Sequence, residues 1–341
     1  MKAETDPPGA RPTIRDVAAR AGVSKSLVSL VYSAPDAVSP ARRERVREAA
    51  RELGYRPNHV ARSLNGVRDD IVGILVADSH NPVLGEIVDA ARTALLAGGR
   101  LGVLLPALAP VEGGARLDVD LLSMAADLRP AGLLIVGSVP EMRRVRDVMP
   151  TTRIVVASAI PEELSGTPSV HGDDAAGIAL AVAHLAERGH RRIAHVGGAG
   201  GPTADARARA FVSSLAVRGL PPGAIGFSDF TERGGYRAAA ELLGGASAPT
   251  ALVASSDLAA IGALAAVRDR GLSGRVAVTG YDNTYLAGLG LVSLTSIDPH
   301  NEEIGRRAAE LLVGDVGDAA EHLIEPRLVI RASSEFTAAG D

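Results

Sequence analysis

Lys25, Ser26 and Ser29 lie close together in TIRDVAARAGVSKSLVSLVYS, the stretch from Thr13 to Ser33. A lysine ammonium and two hydroxyls supply donors and acceptors of the kind that meet phosphates and base edges of nucleic acid. Such chemistry needs a rigid element to hold the side chains on one face, and the flanking residues predict one. Thr13 followed three positions later by Asp16 is a capping-box pattern, so a helix starts there. Ile14, Val17, Ala18 and Ala21 then form an apolar stripe, and Gly22 breaks the helix. Ser24 caps a second helix, with Val23 and Val28 placed as a hydrophobic staple. Val28 and Val31 turn inward and leave Lys25, Ser26 and Ser29 outside. Two helices, a tight glycine-containing turn and a polar outer face on the second helix describe a helix-turn-helix. The same spacing also suits a helical hairpin packed on a larger domain.

The rest of the composition favours the first reading. A length of 341 residues points to two or three domains. An apolar fraction of 46% and a mean hydropathy of +0.15 allow a substantial core. No apolar run approaches the ~18 residues of a membrane span. The start, MKAETDPPGARP, lacks the apolar core of a secretory signal, and residues 1–11 read as a disordered tail. The absence of cysteine excludes disulfides, thiolate metal sites and cysteine nucleophiles, and suits a cytoplasmic protein. The net charge of −4 is unevenly spread. Residues 1–68 hold 13 basic and 7 acidic side chains, or +6, against 23 and 33, or −10, in the remainder. A basic small domain on an acidic large one suggests that the N-terminal part meets a polyanion. Within it, Ser39-Pro40 opens and Gly54 closes a third helix, whose inward stripe is Val46, Ala49, Ala50 and Leu53.

Beyond Pro57-Asn58 a short segment, NHVARSLNG, has Val60, Ala61 and Leu64 on one side. It is too short to be stable as a lone helix and reads as a linker that folds when held. Buried-strand patterns then recur at DDIVGILVAD, LGVLLP, AGLLIVG, RIVVAS, RRIAHVGG, TALVASS and VAVTGYD, with helical patterning between them. Alternation of this kind implies βαβ units and parallel sheets. Roughly 270 residues of it exceed one lobe, so two α/β lobes with a ligand cleft between them are expected.

The order of these segments resembles the lactose-repressor (LacI/GalR) family of bacterial transcription regulators. The resemblance rests on the helix-turn-helix, VSPARRERVREAARELGYRPN, HVARSLNG and IVGILVADSHNPVLGEI, and continues through GHRRIAHVGG, RARAFVSSL, SSDLAAIGAL and GYDN. It implies an α/β fold class: an N-terminal three-helix DNA-binding domain over 12–57, a hinge helix and linker over 58–68, and a two-lobed periplasmic-binding-protein-like core of parallel sheets over 69–331, with a tail at 332–341. It also implies a homodimer that binds double-stranded operator DNA and is controlled by a small-molecule effector, a sugar or related metabolite. Lys25, Ser26 and Leu30 correspond to base-reading positions, with Lys25 suited to guanine N7 or O6. Leu30 departs from the polar or basic residue common there and suits a thymine methyl or leaves that base unread. Thr13, Ser24, Ser33 and Ser39 resemble phosphate contacts, Ser29 shares the outer face, and Asn58 and His59 begin the hinge segment. Leu64 matches the leucine that wedges between base pairs from the minor groove.

In the core, Arg207 matches an arginine that makes paired hydrogen bonds to effector, and Asp282 its acidic partner from a later loop. Leu84, Asp173, Phe230 and Ser256 occupy further matching positions. Leu84 follows Val83 where relatives often carry aromatic residues, which removes a stacking face. Arg207 and Asp282 lie on different loops, so a ligand touching both is expected to bias the two lobes. Replacing either is then expected to remove the effector response and spare ligand-free operator binding. A structural ion pair between them is the alternative. The tail SSEFTAAGD has no heptad pattern, which favours a dimer over a tetramer.

No cofactor, metal or membrane partner is expected, and no enzymatic activity. VGGAGGPT lacks the third glycine of a dinucleotide loop, Thr203 standing there, and no phosphate-loop, hydrolase or metal spacing occurs. His184 and His190 read as helix-end and loop residues. Two alternatives stay open: an enzyme with an appended helix-turn-helix, and a ligand receptor whose DNA module no longer reads an operator, as Leu30 suggests.

Overall fold

Thr13 opens the first helix with both of its donors, since its amide and its hydroxyl each reach the Asp16 carboxylate at 2.7 Å. The computed structural model describes residues 12–55, 71–106, 108–111, 114–164, 166–198, 200–314 and 321–338. The chain divides into two compact units at Asp69 and Asp70. In the first, α1 (Ile14–Ala21) ends at Gly22, whose φ of +62° lies in the left-handed region that glycine tolerates. The Ser24 hydroxyl accepts the Leu27 amide at 3.2 Å and starts α2 (Lys25–Ser33). Ser39 and Pro40 start α3 (Pro40–Leu53) through backbone geometry, since the Ser39 side chain makes no capping bond. The three inward stripes meet in one core, in which Val17, Val28 and Val46 are wholly buried. The expected hinge helix, with Asn58, His59 and Leu64, lies outside the described residues.

The second unit holds two parallel sheets. One contains β1 (Ile71–Val76), β2 (Leu101–Leu105), β5 (Gly132–Val136), β6 (Arg153–Ala157), β7 (Ser169–Gly172) and β13 (Glu321–Ile324), in the order β13-β7-β6-β5-β1-β2. The other contains β8 (Ile193–Gly198), β9 (Ile225–Ser228), β10 (Ala251–Ala254), β11 (Ala277–Tyr281), β12 (Thr295–Asp298) and β14 (Arg327–Val329), in the order β14-β12-β11-β10-β8-β9. All pairs are parallel except β12 with β14. A small hairpin, β3 (Leu108–Val111) with β4 (Gly114–Leu117), stands apart. The strands β5 and β10 are buried along their whole length, as strands covered on both faces must be.

The helices that cover the sheets are α4 (Pro82–Ala97), α5 (Val119–Asp127), α6 (Met142–Val148), α7 (Asp174–Glu187), α8 (Pro202–Val217), α9 (Glu232–Leu243), α10 (Asp257–Asp269) and α11 (Asn301–Val313). The last does not stay with its sequence neighbours. Ile304, Ala308, Ala309, Leu311 and Leu312 of α11 join the core of Val72, Ile74, Ile87 and Leu134 in the N-terminal lobe. The chain therefore passes between lobes three times, after β7, after β12 and between β13 and β14. The seven strand patterns correspond to β1, β2, β5, β6, β8, β10 and β11. Five further short strands, among them SVHG and TSID, complete the two sheets.

Candidate functional site

Strand order reverses between β1 and β5 in one lobe and between β8 and β10 in the other. Open α/β sheets bind ligands outside the carboxyl ends of strands at such points. A cavity of about 320 Å³ occupies that place here, with Leu84, Asp78, Asn81 and Ser138 on the N-terminal side. Arg207, Phe230, Ser256, Asp282, Asp229 and Thr203 line it on the C-terminal side.

Arg207 projects from the second turn of α8 and is only 8% exposed. Its Nε donates to Asp174 at 2.7 Å, its Nη1 donates to the Ser255 carbonyl, and Nη1 lies 3.8 Å from Asp282. The guanidinium stacks on Tyr281, 3.6 Å from the ring centroid. Burial opposes the charge, yet the neighbouring carboxylates of Asp174 and Asp282, together with Tyr281, outweigh it and hold Arg207 firmly cationic. Burial dominates at Asp282 and pushes its carboxyl well above the usual range, against the pull of Arg207. The tight ion pair is therefore Arg207 with Asp174. Asp282 is the looser partner, turned to the cavity and held at a φ of +105°. Such backbone strain concentrates where function over-determines geometry.

Five of the six residues expected in the cleft line the cavity. Asp173 does not, because its side chain caps α7 by accepting the Ala176 amide at 2.9 Å. The next residue, Asp174, is the one that meets Arg207, and the sequence reading missed it. A doubled Asp at a strand end is a weak signal, since one carboxylate is free once the other has capped the helix. Ser256 has both roles: it lines the cavity, and its hydroxyl accepts the Ala259 amide at 3.2 Å. Phe230 sits at a φ of +62° with its ring over Gly198, where an added Cβ would lie 2.8 Å from it. One expectation needs correction. Arg207 and Asp282 face each other from the same lobe, so a ligand touching those two alone bridges nothing. Lobe bias requires the N-terminal wall as well, through Leu84, Asp78, Asn81 or Ser138.

Three histidines of the C-terminal lobe lie outside the cavity lining. His195 is fully buried and stacked on Phe211, with ring centroids 5.1 Å apart; burial lowers its pKa to about 4 and keeps it neutral. His184, in the last turn of α7, bonds the Ser334 hydroxyl at 2.8 Å, and His190 after that helix bonds Thr250 at 3.1 Å.

On the other unit, Lys25, Ser26, Ser29 and Leu30 are all exposed along α2, with Leu30 at 37%. Thr13, Ser24 and Ser39 are exposed at helix starts, and Ser33 is the last residue of α2. The first unit thus presents a polar helix face with one apolar side chain in it.

Residues 13–58 match the bacterial regulatory proteins of the lacI family, and residues 182–334 match the periplasmic binding protein-like domain. The HTH-type transcriptional regulator CelR of Thermobifida fusca is 33% identical, across 95% of this chain and 98% of CelR. A solved CelR–cellobiose complex superposes with a TM-score of 0.68 at 31% identity, covering 95% of this chain and all of that one (100%). The Lac repressor dimer bound to operator and the anti-inducer ONPF gives a TM-score of 0.82, covering 96% of this chain and 100% of that one. At 24% identity that last likeness is one of fold.

Proposed function

Since the chain belongs to the lacI family of bacterial regulatory proteins, we infer that it is a transcriptional repressor whose operator binding answers to a small molecule in the cleft. The carrying observation is the pairing, on one chain, of an exposed reading helix with a polar cavity at the switch points of two lobes. As a homodimer it reads two half-sites of a pseudo-palindrome, and a bacterial DNA regulator meets that partner in the cytoplasm. Lys25 and Ser26 read base edges, Leu30 meets a thymine methyl, Ser29 shares the DNA-facing side of the helix, and Thr13, Ser24, Ser33 and Ser39 orient the unit on phosphates. In the hinge segment Asn58 and His59 contact the DNA, and Leu64 wedges between base pairs from the minor groove. Leu84, Arg207, Phe230, Ser256 and Asp282 hold the effector, while Asp173 acts through the α7 cap.

Among the described residues, the carboxylates of Asp78 and Asp229 and the raised carboxyl of Asp282 face the cavity, while the one arginine lining it is already engaged by Asp174. That balance favours a neutral, hydroxyl-rich effector over a phosphorylated one, with Phe230 as an apolar face. CelR holds cellobiose in its solved complex, and a sugar is the reading here too. The relatives are transcriptional regulators, and no catalytic role is assigned to the cleft. Selection of duplexes from a randomised library tests the regulator reading. It should return a pseudo-palindrome whose affinity falls steeply with salt through counterion release. Exposure of Leu30 on the reading face favours the second reading, a receptor that no longer reads DNA. Enrichment of no sequence would establish that second reading instead.

A further inference from the structure

Glu86 belongs to α4 in the N-terminal lobe, next to Ile87 in that lobe's core. Its carboxylate nevertheless points at the other lobe. Glu86 Oε1 accepts the Tyr285 amide at 3.3 Å, and Glu86 Oε2 accepts the Asn301 side-chain amide at 2.8 Å. The same Asn301 Nδ2 also donates to the Asp282 carbonyl at 2.8 Å. Asn301 is the first residue of α11, the helix that returns the chain to the N-terminal lobe. Its Oδ1 is buried with no partner, so two acceptors around Nδ2 dictate the side-chain orientation. Turning the amide over would set oxygen against oxygen at both contacts.

One gripped residue, Asp282, and its neighbour Asn283 inside the 282–285 loop carry strain. Asp282 and Asn283 have φ of +105° and +46°, and neither is glycine. Asp282 thus faces the effector cavity with its carboxyl and the N-terminal lobe with its carbonyl. We propose that Glu86 and Asn301 form a polar latch across the lobe boundary that holds the 282–285 loop and thereby sets the lobe arrangement in which the protein meets its operator. They are positioning residues, in contact with the loop and not among the residues that line the cavity. A ligand that shifts Asp282 loads or releases the latch, and a change of lobe arrangement strains the same bonds from the other side.

The proposal rests on the regulator reading, and its test separates the two. The full chain and its Glu86→Ala and Glu86→Gln variants are titrated with an operator duplex selected for the wild type and with a scrambled duplex. Hydrogen exchange is followed in the peptide spanning 282–290. Loss of the latch should speed exchange there and change operator affinity by about fivefold or more, with scrambled-duplex affinity kept within about twofold. Glu86→Gln, which retains one acceptor, should fall between wild type and Glu86→Ala. Equal operator affinity and unchanged exchange in both variants would overturn the latch. Parallel losses on both duplexes would overturn it too, as the mark of a damaged fold. A selection that yields no operator removes the regulator reading and this proposal with it.

Discussion

Arg207→Ala is the substitution on which the geometry speaks most directly. The change removes a nearly buried cation that answers Asp174 at 2.7 Å, the Ser255 carbonyl and, at 3.8 Å, Asp282. Both carboxylates are buried, so neither can fall back on solvent. Breaking a buried ion pair from one side costs about 3–5 kcal/mol, because the remaining charge stays uncompensated. At about 2–4 °C per kcal/mol for a domain of this class, the melting temperature should drop by roughly 6–20 °C. Calorimetry of the full chain measures it. The pH dependence supplies an independent sign. Without the cation, Asp282 loses the attraction that opposes the upward push of burial, so its folded pKa moves further above the unfolded value. A carboxyl of that kind binds more protons folded than unfolded, so stability falls as pH rises through the interval between the two values. The variant's deficit should therefore be larger at pH 8 than at pH 5. A loss under about 1 kcal/mol, or a deficit that grows as pH falls, would refute the reasoning. The expectation from sequence, that Arg207→Ala spares ligand-free operator binding, thus holds only where the variant remains folded.

Three further outcomes follow from single residues. Leu30→Arg should create a preference for guanine at one half-site position, worth about 1–3 kcal/mol if the contact is bidentate, and library selection with an unchanged base preference would count against a base-facing position 30. Burial pushes Asp257 up to about 6, despite hydrogen bonds from Ser296 and Thr284. Its charge therefore costs stability above pH 6, and that cost is relieved as pH falls toward 4; relative to Asp257→Asn, the wild type should gain about 2 kcal/mol between pH 7 and 4 in urea titrations, and a flat difference would show otherwise. Gly22→Ala should weaken the three-helix unit by about 1 kcal/mol at its φ of +62°, lowering operator affinity while leaving the core's own melting unchanged.

Local pattern and tertiary arrangement divided the work along a physical line. The three N-terminal helices were legible from the sequence because every signal that makes them acts within four residues. The Thr13–Asp16 box, the Ser24 cap, Gly22 and Gly54 at helix ends, and the stripes of Val17, Val28 and Val46 are all of that kind. Seven strands were legible because each carries an apolar run, which burial on both faces demands in six of them, while the edge strand β2 keeps its run although Leu101 and Leu104 are exposed. SVHG and TSID were not, since four residues with polar members carry no period, and they become strands only when neighbouring strands supply hydrogen-bond partners. The resemblance found Arg207 and Asp282, but tertiary packing alone put both on one lobe. Packing also decided that Asp173 caps a helix while Asp174 takes the arginine, a choice set by where α7 points. Glu86 and Asn301 stand 215 residues apart, and nothing local links them. They meet because α11 leaves the lobe it follows in sequence and buries Ile304, Ala308 and Leu312 in the other, where its apolar face has a core to join.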